Sequence, residues 1–183
     1  MRVSPIFQFG LLIFLSIFNC GAIARDSDRQ IFISSNMCPL QRLMNYVDDA
    51  KSNPRVSTRF FVVETKQSAG GYVQCMFDKE TPRLLCEAES GYFRATPGKV
   101  GSLVLNQDQL KTLRQAGFDT GIEDGNFEEV LKADRSDFPQ VAEHLLGVLY
   151  DVYGARPTSS LWLKGSTVPV NHPSLFHYCG LDG

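Results

Sequence analysis

The feature that most constrains this chain is a pair of cysteines at matching positions of two strand-like runs. Tyr72-Val73-Gln74-Cys75-Met76-Phe77 and Arg83-Leu84-Leu85-Cys86-Glu87-Ala88 flank Asp78-Lys79-Glu80-Thr81-Pro82, a polar segment with a proline. The pattern predicts a hairpin. Side chains alternate across a strand, so a register that sets Cys75 opposite Cys86 also sets Phe77 opposite Leu84 and Val73 opposite Ala88. One face then becomes apolar throughout, and the other carries Tyr72, Gln74, Met76, Leu85 and Glu87. A bridge closing so short a loop contributes about 3 kcal/mol in the chain-entropy model.

A disulfide needs an oxidising compartment, and the first 24 residues supply an address. Arg2 is a positive n-region, residues 10–18 form a short apolar h-region, and Ala22-Ile23-Ala24 is a small-x-small cleavage site. Spanning a bilayer takes roughly 20 apolar residues, so this run predicts export and cleavage near Ala24 rather than stable membrane insertion. A periplasmic or secreted location follows. Cys20 offers the alternative of a lipoprotein, although Phe18 and Asn19 stand where small residues are expected. Cleavage leaves Cys38, Cys75, Cys86 and Cys179, an even number that allows three connectivities. With Cys75 and Cys86 paired locally, Cys38 and Cys179 pair by elimination and tie the chain end to the first helix. No CxxC or Cys/His cluster of ligand spacing points to redox or metal chemistry.

The remaining pattern is that of one globular domain. Hydrophobic residues make up 43% and charged residues 21%, close to average usage, and the net charge of −2 gives no footprint for nucleic acid. Pro39 fits a first helical position, and Leu40, Leu43, Met44, Val47 and Ala50 recur at helical spacing until Asn53-Pro54. Residues 59–65 read as a strand before the cysteine hairpin, and 91–101 as a loop with a short strand near Tyr92-Phe93. Asn106 and Gln109 form a capping box, Leu105 and Leu110 are placed as a hydrophobic staple, and Gly117 is a helix stop. Asn126 to Leu131 predicts a further strand. Val141, Leu145, Val148, Leu149 and Val152 mark the face of a helix over about 138–153, ended by Gly154. Leu161-Trp162-Leu163 is a last short strand.

The order α-β-β-β-α-β-α predicts an α+β two-layer sandwich, an antiparallel sheet covered by helices, with a disulfide-tied C-terminal tail. Its parts are a signal peptide (1–24), a lead-in segment (25–36), the α+β domain (37–154) and a packed tail (155–183). The segments Leu113-Arg114-Gln115-Ala116-Gly117-Phe118, Gly125-Asn126-Phe127, Val141-Ala142 and Leu149-Tyr150-Asp151-Val152-Tyr153-Gly154 resemble the YbjN-like, TY-Chap group of bacterial domains, similar in fold to type III secretion chaperones. The resemblance covers Met37 to Gly154 in element order. It implies noncatalytic binding of a peptide or protein segment, often by a homodimer. The export signal and cysteine pairs depart from the group's cytoplasmic pattern.

Tyr72, Met76 and Leu85, on the face turned from the helices, are the candidate partner-binding residues, and an open edge strand is a second route for a partner strand. An immunity-type or envelope structural protein with one dedicated partner fits the same small stapled fold. A small metal-dependent hydrolase is the enzymatic alternative. It rests on His172 and His177, five residues apart, with no third ligand in the sequence. His144 reads as a surface pair with Glu143. Glu128 and Glu129 are adjacent in a strand and point to opposite faces. Neither a GxSxG elbow nor a phosphate loop occurs, and Gly98-Lys99-Val100-Gly101 lacks the spacing of one. The residues therefore predict no catalytic set, no metal site and no cofactor.

Overall fold

A computed structural model describes residues 11–66, 70–92, 105–176 and 179, with side chains from Asp26 onward. Its elements are α1 (Leu11–Asp49), β1 (Phe60–Thr65), β2 (Tyr72–Phe77), β3 (Arg83–Ala88), α2 (Gln107–Ala116), β4 (Phe127–Lys132), α3 (Phe138–Asp151) and β5 (Leu161–Gly165). The strands form one antiparallel sheet in the order β4-β3-β2-β1-β5. The α+β sandwich and its order hold, and the short strand expected at 161–163 forms as β5 in the tail, joining the sheet by pairing with β1 from Phe61↔Gly165 to Thr65↔Leu161.

The hairpin has the register its cysteines require. Val73 faces Ala88, Cys75 faces Cys86, and Phe77 faces Leu84. All six side chains are buried under the helices. Disulfides join Cys75 to Cys86 and Cys38 to Cys179, as the sequence predicts. Two such bridges suit an oxidising environment outside the cytoplasm. No helix among the described residues is long and apolar enough to cross a membrane.

The first helix departs from expectation. Pro39 lies inside α1, and the lead-in residues 25–36 are helical. An interior proline forfeits one backbone hydrogen bond and costs about 3 kcal/mol. Burial offsets that cost: Phe32 and Ile33 lie upstream of Pro39, Leu40, Leu43, Met44 and Val47 downstream, and all six reach the core. Phe32 packs on Tyr150 of α3 with ring centroids 5.9 Å apart. Gly165 of β5 lies under α1, where an added Cβ would sit 2.7 Å from Val47 Cγ2, so the helix rests directly on that strand.

The other helix signals resolve as local chemistry. In α2 the Asn106 side chain accepts from the Gln109 N–H at 2.9 Å, and Gln109 Oε1 accepts from the Asn106 N–H at 2.9 Å. Gly117 ends the helix at φ 110°, and Gly154 follows α3 at φ 72°. From residue 93 onward the expected loop, with Phe93, lies outside the described residues.

Candidate functional site

The sheet has two faces of opposite character. Helices α1 and α3 cover the inner one. Alternation therefore sends Phe60, Val62 and Glu64 of β1, Tyr72, Gln74 and Met76 of β2, and Arg83, Leu85 and Glu87 of β3 to the outer one. They are joined there by Glu128, Val130 and Lys132 of β4 and by Trp162 and Lys164 of β5.

Cross-strand register turns these residues into rows. Phe60 pairs with Met76, Met76 with Leu85, and Leu85 with Val130, giving an apolar row across four strands. At the usual strand spacing it is about 14 Å long. Met76 is 43% exposed and Val130 62%. A depression of about 270 Å³ opens beside the row between Phe60, Gln74, Met76, Leu85 and Glu87. Charges flank the β3–β4 half of the row, with the pair Arg83↔Lys132 on one side and Glu87↔Glu128 on the other.

Of the three residues predicted to bind a partner, Met76 and Leu85 are direct cross-strand neighbours. Tyr72 is at the far end of β2, where its hydroxyl accepts from Asn126 Nδ2 at 2.9 Å. Asn126 Nδ2 also reaches Glu87 Oε2 at 3.3 Å, and Gln74 Nε2 donates to the same oxygen at 2.6 Å. Tyr72 thus belongs to a polar network rather than to the apolar row. Behind it, the Tyr153 hydroxyl donates to the Glu89 carbonyl at 2.7 Å. Burial, with smaller contributions from Glu89 and Tyr72, pushes the Tyr153 phenol far above its ordinary range. Gly71 leaves room for that ring, since any Cβ there would overlap it.

Phe60 and Val130 were missed. The alternation Glu128-Glu129-Val130-Leu131-Lys132 carried a signal for Val130, because Val130 shares its face with two charges. That it adjoins Leu85 depends on strand order, which no local pattern shows.

Both sheet edges are blunted. On β5, Asn171 at φ 48° stands in for a neighbouring strand. Its N–H donates to the Leu163 carbonyl at 2.8 Å, its Oδ1 accepts from the Leu163 N–H at 2.8 Å, and its Nδ2 donates to the Leu161 carbonyl at 3.2 Å. On β4, the Asp119 N–H donates to the Glu128 carbonyl at 2.7 Å, and the Glu128 N–H returns to the Asp119 carbonyl at 3.4 Å. Lys132 ends that strand with ion pairs to Asp134 and Asp137. Blocking bonds and an edge lysine disfavour the addition of another strand, contrary to the edge route expected from sequence.

The remaining candidates take structural settings. His144 pairs with Glu129, not with Glu143 as predicted. Its Nε2 is 2.8 Å from Glu129 Oε2, and its ring stacks on Phe118. The pairing follows from β4 geometry: Glu129 turns inward towards α3 while Glu128 points to solvent. His172 Nδ1 lies 2.7 Å from Ser174 Oγ, and His177 lies outside the described residues. Among the described residues no group of three His, Cys, Asp or Glu is placed to hold a metal ion.

Near the start of β1 lies a buried ion hub. Asp48 is 8% exposed and accepts from Arg59 Nη1 at 3.1 Å, Lys51 Nζ at 3.2 Å and Arg135 Nε at 2.9 Å. Arg135 also bonds Asp49, while Arg59 donates to the Asp78 carbonyl at 2.6 Å and lies over the Phe77 ring. Burial alone would raise the Asp48 carboxyl, but hydrogen bonds from Arg135 and Lys51 and their charges outweigh it and hold it below the usual aspartate range. The hub ties α1, the start of β1 and the turn before α3 together, with its donors turned on Asp48, Asp49 and the Asp78 carbonyl.

No family model, curated protein or solved structure matches this chain.

Proposed function

We propose that this protein is an exported, noncatalytic module that binds a peptide or protein segment on the open face of its sheet, in the manner implied by its resemblance to YbjN-like, TY-Chap domains. One observation carries the reading: the apolar row Phe60–Met76–Leu85–Val130 spans four strands of an open face while both edges are blunted. Met76 and Val130 stand exposed beside the half-buried Phe60 and Leu85, and a methionine in such a row adapts to partners of differing shape. Export with cleavage near Ala24 belongs to the same proposal. The described side chains that join α1 to the rest begin with Arg29, bonded to Asp151, and Phe32, so the fold keeps these contacts after cleavage.

Photocrosslinking in cells tests the reading. A photoreactive residue replacing Met76 in the natively exported protein should capture a recurrent envelope or secreted protein, and one replacing Lys111 on α2 should not. Val130→Glu should abolish the capture. Identical products from both positions, or capture unaffected by Val130→Glu in a folded protein, would remove the proposal.

A further inference from the structure

We infer that in the free protein the open face is covered by a second copy of this chain, stacked sheet on sheet about a two-fold axis that runs along the Phe60–Met76–Leu85–Val130 row. The inference goes beyond the partner-binding reading, because it concerns what the face does when no partner is present.

Charge placement carries it. On β3, Arg83 and Glu87 stand two residues to either side of Leu85. On β4, Lys132 and Glu128 stand two residues to either side of Val130. Both basic residues lie on one side of the row and both acidic residues on the other. Rotation about the row brings each basic side over the acidic side of the other copy. Arg83 then meets Glu87 of the partner subunit, and Lys132 meets Glu128 of the partner subunit. Each pair occurs twice by symmetry, making four ion pairs around one apolar strip.

The axis also sets Met76, Leu85 and Val130 against their own copies, so the exposed apolar side chains cover one another. Strand axes stay parallel with their directions reversed, and near-parallel axes are the ordinary arrangement for two sheets packed face to face at about 10 Å. A two-fold axis parallel to the strands, between β2 and β3, does worse. It sets Glu87 over Gln74 and Glu128 over Val62, and of the four charges it pairs only Arg83, with Asp78 of the partner subunit, giving two ion pairs instead of four. A lipid surface fits poorly too, because the row is flanked by charges of both signs.

Sedimentation velocity on the purified, disulfide-bonded full chain tests this without any partner, so its failure leaves the partner-binding reading standing. Between about 1 µM and 1 mM the chain should pass from monomer to dimer, less readily in high salt. Met76→Glu should abolish the dimer. Glu128→Lys and Lys132→Glu should each weaken self-association about tenfold or more, because like charges then meet across the axis. An equimolar mixture of the two variants should restore it, since each supplies the charge the other needs. Circular dichroism confirms that the variants are folded, and Val130→Glu replaces Met76→Glu if that variant does not fold. A chain that stays monomeric to about 1 mM overturns the inference. So does a dimer indifferent to Met76→Glu and Val130→Glu, or a mixture no stronger than its components.

Discussion

Asp48→Asn is expected to destabilise the protein by about 3 kcal/mol at neutral pH, the low end of what removing one partner of a buried charge pair costs. The surroundings set the size. Lys51 is 61% exposed and returns to water, and Arg135 keeps Asp49. Arg59 is 13% exposed and retains only the Asp78 carbonyl and the Phe77 ring, so most of the cost falls on its guanidinium. Urea unfolding should show a lower midpoint with an unchanged slope. The pH dependence separates charge from shape. The folded carboxyl titrates below its unfolded value, so its contribution is fully present above about pH 4 and disappears as pH falls through the folded pKa. The gap between the parent and Asp48→Asn curves should therefore narrow steadily as pH falls below about 4 and close only once pH is below the folded pKa. A loss under about 1 kcal/mol at pH 7, or one that does not shrink as pH falls below about 4, would refute the assignment of Asp48 as an ionised hub.

Three further outcomes are expected. The Cys38–Cys179 bridge spans 141 residues and Cys75–Cys86 only 11, so Cys38→Ala/Cys179→Ala should cost about 5 kcal/mol and Cys75→Ala/Cys86→Ala about 3, read from urea midpoints. The reverse order would show that loop entropy does not dominate. Asn171→Gly keeps the left-handed backbone and removes two side-chain bonds to β5, so it should lower stability by about 1–3 kcal/mol and raise light scattering on heating as the edge opens. Unchanged scattering would mean that Asn171 does not protect that edge. A chain beginning at Arg25 should melt within about 5 °C of the full chain, and a larger drop would assign the upstream segment a part in the fold.

What the sequence disclosed follows the range of the interactions involved. The hairpin register was legible because two cysteines and a short turn constrain it locally, and α2 because Asn106, Gln109 and Gly117 fix its ends by bonds within a few residues. The extent of α1 was not. Pro39 marks a helix start equally well by its fixed φ, and only the distant α3 reveals that Phe32 and Ile33 are core residues rather than lead-in. The pairing of β5 with β1 joins segments about a hundred residues apart in chain order, with no turn to announce it. The same limit divides the candidate site. Met76 and Leu85 were found within one hairpin, whereas Phe60 and Val130 entered only once the strands were ordered side by side. His144 was assigned the acid beside it in sequence, and the fold instead brought Glu129 across from another element.

Closing the edges while leaving a face open changes what sort of binding this sheet supports. An edge contributes main-chain hydrogen bonds that accept almost any extended segment, whereas a face offers only side chains and so discriminates by shape and charge. Asn171 and Asp119 remove the permissive route, and Arg83, Glu87, Glu128 and Lys132 impose a pattern on the remaining one. If a second copy covers that face, a partner binds only the monomer fraction, and its apparent affinity falls by that fraction as the concentration of the chain rises. Dilution and raised salt should then strengthen partner capture up to the point where screening weakens the partner's own ion pairs, an optimum that a site free of self-association would not show.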